Sequence, residues 1–264
     1  RDQRVVMLGA GAAGVGIARI LQAELAQLGV GEADRIRAVA LLDSRGLLTD
    51  ARPIRAAYKR AFAWPAALSA SCGLTPEGGD DLLAVVRALK PTVLIGTSGQ
   101  PGVFDEAVVR EMAKHVERPA VFPFSNPTSK SEATPADLLR WTDGRALVAT
   151  GSPFDPVEHG GRTVRPAQGN NVYVFAGVGL GALASGATRI ADSTFAAAAH
   201  AIAAHVDEGA LGRGELYPTL SRLRAVSREV AFAVASHAVE RGDAPPADAA
   251  TLRAAIDAFR WAPR

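Results

Sequence analysis

The stretch Val5-Val6-Met7-Leu8-Gly9-Ala10-Gly11-Ala12-Ala13-Gly14 decides the fold. Four consecutive apolar residues read as a short buried strand. They run straight into a G-x-G-x-x-G turn. Behind it, Val15, Ile17, Ile20, Leu21, Leu25 and Leu28 recur on one broad helical face, and Gly29 supplies a stop. Strand, glycine turn and amphipathic helix together predict the opening of a dinucleotide-binding unit, in which each glycine has a separate physical task. Gly9 makes the tight turn out of the strand. Gly11 has no side chain to hold a pyrophosphate away from the backbone. Gly14 lets the helix lie close to the sheet. The helix start, at Ala12 and Ala13, then offers unpaired N–H groups and positive partial charge to phosphate oxygens.

Working outward, the next apolar run, Ala38 to Leu42, predicts a second strand closed by Asp43-Ser44-Arg45-Gly46. Thr92 to Ile95 runs into Gly96-Thr97-Ser98-Gly99, Ala120 to Phe124 into Ser125-Asn126-Pro127-Thr128, and Leu147 to Ala149 into Thr150-Gly151-Ser152-Pro153. Helical patterns separate these strands, which predicts a mainly parallel, doubly wound α/β sheet of the Rossmann type. Ligands of such sheets sit beyond the carboxyl ends of the strands. The small and polar residues that close each strand therefore line one rim. Gly29 to Arg37 is expected to be an extended connection, and residues 51 to 75, broken by Pro53 and Pro65, to be irregular. Asp80-Asp81 and Asp105-Glu106 fall at predicted helix starts, where negative charge opposes the macrodipole. Beyond residue 150 the chain turns mainly helical. The reading is one domain, residues 1–264, with a helical C-terminal annex.

Asp43 ends the second strand, where a carboxylate accepts hydrogen bonds from the adenosine ribose and repels a 2′-phosphate, so it favours NAD. Ser44 and Arg45, with Lys59 and Arg60, are the alternative: a phosphate pocket that keeps NADP open. Capping a turn is the third role open to Asp43. Asn126 is read two ways, as a donor to a substrate carboxylate at the rim or as an Asx-turn. Gln168-Gly169-Asn170-Asn171 is equally a helix cap or a ligand contact. His237 falls on the apolar stripe of its helix and is expected in the core.

The 264 residues are 48% hydrophobic, 21% charged and 6% aromatic, with 29 basic against 27 acidic side chains. A formal charge of +2 gives no basis for a nucleic-acid partner or an anionic membrane surface. No apolar run reaches the roughly 18 residues of a membrane span. The single Cys72 excludes an internal disulfide framework and fits a reducing, cytoplasmic setting. The five histidines form no metal-ligand spacing. No Gly-x-Ser-x-Gly elbow or Cys/His pair points to a nucleophile. The chain starts at Arg1, four residues before the first strand at Val5, and is therefore expected to be a piece of a longer protein.

Taken in order, these strings resemble the NAD(P)-binding domain of the malic enzymes, the malate dehydrogenases that also decarboxylate. The resemblance is carried by Gly9 to Ala18, Asp43-Ser44-Arg45-Gly46-Leu47, Lys90 to Gly96, Arg118-Pro119, Ser125-Asn126-Pro127-Thr128-Ser129, Ala149 to Phe154, Gln168 to Phe175 and Leu216-Tyr217-Pro218. Their texture is similar to the bacterial NAD-linked branch. The resemblance implies that Gly9, Gly11, Ala12, Ala13, Gly14, Asp43, Ser44 and Arg45 bind the ADP half of the cofactor. It puts Thr97, Ser98 and Gly99, with Asn126, beside its nicotinamide half. It also implies that Asn126 and Asn171 hold the carboxylates of malate. The family's proton-moving tyrosine and lysine, and its Mg²⁺ or Mn²⁺ carboxylates, precede the glycine turn, so no catalytic or metal residue maps onto this chain. It is expected to bind cofactor without turning over malate. A dimer or tetramer is implied for the full-length enzyme. A malolactic enzyme and a non-catalytic dinucleotide-sensing module are the alternative readings.

Overall fold

A computed structural model describes residues 2–259, which divide into two compact units between Gly169 and Asn170. The first is built on a seven-stranded sheet. Strand β1 (Val5–Leu8) leads into helix α1 (Ala12–Gln27), a short helix α2 (Glu32–Ala38), strand β2 (Val39–Asp43) and a two-residue strand β3 (Gly46–Leu47). Helices α3 (Ala57–Arg60), α4 (Ala66–Ser71) and α5 (Leu82–Leu89) precede β4 (Val93–Gly96). Helix α6 (Glu106–Ala113), β5 (Ala120–Pro123), α7 (Pro135–Trp141) and β6 (Leu147–Thr150) follow. A hairpin of β7 (Val157–His159) and β8 (Arg162–Val164), then β9 (Ala167–Gln168), completes the unit.

The sheet order is β3-β2-β1-β4-β5-β6-β9, and every pairing is parallel except β2 with β3. From β1 the chain goes first to one side and later to the other, so the strand order reverses between β1 and β4. That is the switch point where α/β sheets open a crevice. Alternation along β1 sends Val6 and Leu8 to one face and Val5 and Met7 to the other. The first pair packs with Val85, Val108, Met112 and Leu138 of α5, α6 and α7, the second with Val15 and Ala18 of α1. Helices on both faces leave only the strand ends for chemistry.

Three differences from the sequence reading concern local structure. The stretch read as an extended connection contains α2, whose ends are set by charge: Glu32 and Asp34 in its first turn, Arg35 and Arg37 in its last. Residues 51 to 75 contain α3 and α4. Asp81 and Asp105 are N-caps, accepting from the N–H groups of Ala84 (2.8 Å) and Val108 (2.9 Å). Glu106 does lie in a first turn, but Asp80 lies outside its helix and accepts from the N–H and hydroxyl of Thr75.

The second unit is helical: α8 (Phe175–Ser185), α9 (Asp192–Ala203), α10 (Glu208–Gly212), α11 (Leu223–Glu240) and α12 (Ala249–Phe259). Helix α8 packs on α11 through two glycines. A Cβ on Gly177 would lie 2.6 Å from the Val230 side chain, and one on Gly181 only 2.4 Å from the Ala231 carbonyl oxygen. Val230 and Val234 on the facing side of α11 are fully buried. His237 on the same helix is half-buried and shares a 2.8 Å hydrogen bond with the Ser193 hydroxyl, so it is anchored at the edge of the core. Among the described residues no helix is long and apolar enough to cross a membrane.

Candidate functional site

The glycine turn sits at the switch point. After Leu8 the N–H groups of Gly9 and Ala10 both donate to the Leu42 carbonyl, tying the turn to the end of β2. Thr97, beyond β4, donates its N–H to the Leu8 carbonyl and its hydroxyl to the Gly9 carbonyl at 2.9 Å. Gly9 has φ +114, and a Cβ there would stand 2.5 Å from the Thr97 backbone. A Cβ on Gly14 would come 2.0 Å from the Gly9 carbonyl oxygen. Gly11 is the opposite case: its Cβ would meet nothing within 4 Å. Two glycines close the turn and the third leaves a bare backbone facing open space. Gly11, Ala12 and Ala13 are exposed, and α1 starts with no side-chain cap and no acidic residue in its first turn. A cradle of free N–H groups at the positive end of a 16-residue helix fits the pyrophosphate of a dinucleotide.

Asp43 stands at the end of β2 and caps the turn that follows it. Its Oδ1 accepts from the Arg45 N–H at 2.9 Å, capping the turn, and from the Arg52 guanidinium at 2.9 Å. Its Oδ2 lies 3.9 Å from the Lys59 ammonium, with capacity for a further donor such as a ribose hydroxyl. Burial pushes the carboxyl up. The Arg45 N–H, Arg52 and Lys59 together outweigh it and hold Asp43 below its ordinary value of 3.8. A cleft of about 430 Å³ opens beside it, lined by Asp43, Arg45, Ile54, Arg55, Ala56 and Lys59. Ser44 is exposed in the turn. Arg60 is turned elsewhere, donating to the Ile54 carbonyl at 3.1 Å, and does not line the cleft.

Arg52 is absent from the sequence reading of this pocket. Its side chain is only 8% exposed, and its Nε and Nη1 are buried with no hydrogen-bond partner. Its neighbours Asp50-Ala51 and Pro53 give no period, so nothing local marks it as an inward-facing cation.

Farther along the rim, Ser98 and Gly99 follow β4 and Ser125 and Asn126 follow β5. The Gly99 N–H donates to the Ser125 hydroxyl at 2.9 Å, joining the two loops. Asn126 is exposed, precedes a cis peptide bond to Pro127, and accepts through Oδ1 from the Ser152 hydroxyl beyond β6. Its amide is thus held across two strand ends, and its Nδ2 makes only a 3.4 Å approach to the Phe124 carbonyl. Gly151 makes room for it, since a Cβ there would stand 2.8 Å from Nδ2. Beneath this rim lies Glu132, another residue the sequence reading passed over. It is fully buried, and Gly96 is what admits it: a Cβ on Gly96 would come 2.4 Å from the Glu132 carboxyl carbon.

In the second unit the amide pair divides its roles. Asn170 is the cap, its Oδ1 accepting from the Val172 N–H at 2.9 Å. Asn171 opens a short 3₁₀ turn and is exposed. Tyr173 behind it is buried, stacks on Tyr217 and donates to the Pro218 carbonyl at 2.7 Å. Burial pushes both phenols above their ordinary value. For a divalent metal the fit fails: among the described residues no three His, Cys, Asp or Glu side chains gather to hold one.

A family profile described as "Malic enzyme, NAD binding domain" matches residues 1–239. An NAD-dependent malic enzyme of Aliivibrio fischeri is 44% identical over 99% of this chain and 46% of its own length. One from Sodalis glossinidius is 47% identical over 100% of this chain and 46% of its own. The chain therefore spans about half the length of the curated relatives it matches. Crystal structures of malic enzymes from Pyrococcus horikoshii (26% identity, TM-score 0.66) and Entamoeba histolytica (23%, 0.68) each align with 97% of this chain, covering 53% and 47% of theirs. The second likeness speaks for the fold alone. A glycine turn at the switch point, a carboxylate closing β2 and a family match over most of the chain lead to one assignment: this chain belongs to the NAD-binding domain family of the malic enzymes.

Proposed function

We propose that this chain is the cofactor half of an enzyme that oxidises (S)-malate and decarboxylates the product to pyruvate and CO₂. One observation carries the reading. Gly9 and Gly14 leave no room for a Cβ, whereas Gly11 faces open space beside the uncapped start of α1. Both compact units are taken to form one cofactor domain. NAD⁺, when bound, supplies the hydride acceptor for C2 of malate. The chain's own residues bind and orient it: the N–H groups at the start of α1 hold the pyrophosphate, Asp43 with Ser44 and Arg45 the adenosine ribose. Thr97, Ser98 and Gly99, with Asn126, hold the nicotinamide half. Asn126 and Asn171 hold the malate carboxylates. Mg²⁺ or Mn²⁺ and the proton-moving groups are proposed to be held by the part of the complete enzyme outside this chain. The complete enzyme is proposed as a cytoplasmic dimer or tetramer.

The experiment is a fluorescence titration of the 264-residue chain with NADH, paired with an assay of malate-dependent NADH formation. Binding without turnover is the expected pair of results. Turnover by this chain alone, or no binding, sinks the proposal.

The cofactor preference follows from Asp43. Its charge opposes a 2′-phosphate, although Arg52 and Lys59 soften the opposition. Asp43→Asn removes the charge and keeps an acceptor. The expected result is a rise of about tenfold in NADP⁺ affinity relative to NAD⁺, corresponding to about 1.4 kcal/mol. Parallel titrations of both cofactors measure it, and an unchanged ratio would take the ribose away from Asp43.

A further inference from the structure

Glu132 has no place in the roles assigned so far, yet it is fully buried directly behind the rim. Four donors converge on its carboxylate. Oε1 accepts from the Ser98 N–H and hydroxyl, both at 2.8 Å, and from the Ser125 hydroxyl at 2.5 Å. Oε2 accepts from the Ser125 N–H at 3.3 Å. All four donors are neutral; no cation is among them. The same two serines are bound outward to the rim: the Ser98 hydroxyl accepts from the Gln100 N–H at 3.2 Å and the Ser125 hydroxyl from the Gly99 N–H at 2.9 Å. The carboxylate thus sits one hydrogen bond behind the backbone of Ser98 and two behind that of Gly99. A buried charge without a counter-ion is costly unless something compensates it. Fixed dipoles do part of this. A cation arriving at the rim would do the rest.

We infer that Glu132 is a positioning residue whose negative charge selects the oxidised, positively charged nicotinamide ring over the neutral reduced one. The inference rests on the proposed lie of the nicotinamide half along Thr97, Ser98 and Gly99. Oxidised and reduced cofactors share every atom of the ADP half, so a charge behind the nicotinamide loop is the kind of feature that separates them. The consequence is preferential loading of NAD⁺ and easier release of NADH. Through Ser98 and Ser125, Glu132 also fixes the two loops relative to each other, and a loss of that scaffolding alone would weaken both redox forms alike.

The test measures the affinities of the 264-residue chain for NAD⁺, NADH and ADP-ribose, in the wild type and in Glu132→Gln. The expected result is a fall of about tenfold in NAD⁺ affinity, with NADH and ADP-ribose within about twofold of the wild type, as loss of one charge–charge attraction in a partly screened site implies. Glu132→Asp, which keeps the charge, is expected to hold the NAD⁺-to-NADH ratio within about threefold of the wild type. Should the amide fail to fold, Glu132→Ala replaces it, because the space it leaves can admit water to accept from the two stranded N–H groups while the two serine hydroxyls turn to other partners. Equal losses for all three ligands would reduce Glu132 to scaffolding and overturn the inference, as would an Asp variant whose ratio collapses. ADP-ribose binding as tightly as both dinucleotides in the wild type would overturn it differently, by removing the nicotinamide from this loop. No binding of any ligand would fell the cofactor reading itself.

Discussion

Gly11→Ala is expected to lower NAD⁺ affinity about a hundredfold while leaving thermal unfolding nearly unchanged, and Gly14→Ala to damage both. The contrast follows from where each methyl goes. At Gly11 it enters open space, and the backbone there has φ −83, which any residue adopts. The cost to folding is that of exchanging one uncapped helix start for another, under about 1 kcal/mol. But this open space is where the bare backbone is proposed to meet the pyrophosphate, and a methyl holds the phosphates off. Losing two hydrogen bonds to a charged group, at about 1.5 kcal/mol each, gives the hundredfold. At Gly14 the methyl would stand 2.0 Å from the Gly9 carbonyl oxygen, a backbone atom also bound to the Thr97 hydroxyl. Helix α1 must then lift from the sheet, at a cost of about 3 kcal/mol or a Tm lower by on the order of 10 °C. Circular-dichroism melts and a cofactor titration on the two variants check this. Wild-type NAD⁺ affinity in Gly11→Ala would remove the pyrophosphate from the turn.

What was legible in the sequence divides along the same line. The turn at Gly9 could be read because its strand, loop and helix are contiguous, and the change from a short apolar run to a helical period marks the junction. The rim residues Asp43, Thr97, Ser125 and Asn126 could be read because each closes a strand of four or five buried or half-buried residues. Helix α2 was not readable by period, since seven residues bearing Ile36 and Ala38 make too little of an apolar face. The β7–β8 hairpin carried a signal the reading overlooked: Gly160-Gly161, both with positive φ, is a favoured two-residue hairpin turn. Arg52 and Glu132 are a different matter. Glu132 meets Ser98 across 34 positions, and nothing in Ser131-Glu132-Ala133 foretells it. Only Gly96, a glycine that does not need positive φ at a buried strand end, hinted that another side chain crosses there.

Trp64 bears on both stability and the site, and its replacement by alanine is expected to cost about 3–5 kcal/mol, as for other fully buried large aromatics. It is 0% exposed, packs with Leu42, Leu47 and Val85, and donates its indole N–H to the Val39 carbonyl at 3.0 Å. Its backbone does equal service: Trp64 N–H donates to the Leu48 carbonyl and its own carbonyl accepts from Asp50, closing the loop between. That loop carries Arg52, which braces Asp43, and Ile54, Arg55, Ala56 and Lys59, which wall the cleft beside it. The alanine variant should therefore melt on the order of 10 °C lower, and while still folded it should bind ADP-ribose more weakly as the loop loosens. Trp64→Phe separates the two contributions. It keeps most of the packing and strands one indole hydrogen bond, so its cost should be about 1–2 kcal/mol, with the cleft and its affinity largely retained. Equal destabilisation by phenylalanine and alanine would mean that the bond to Val39, not the fill, holds the loop to the sheet.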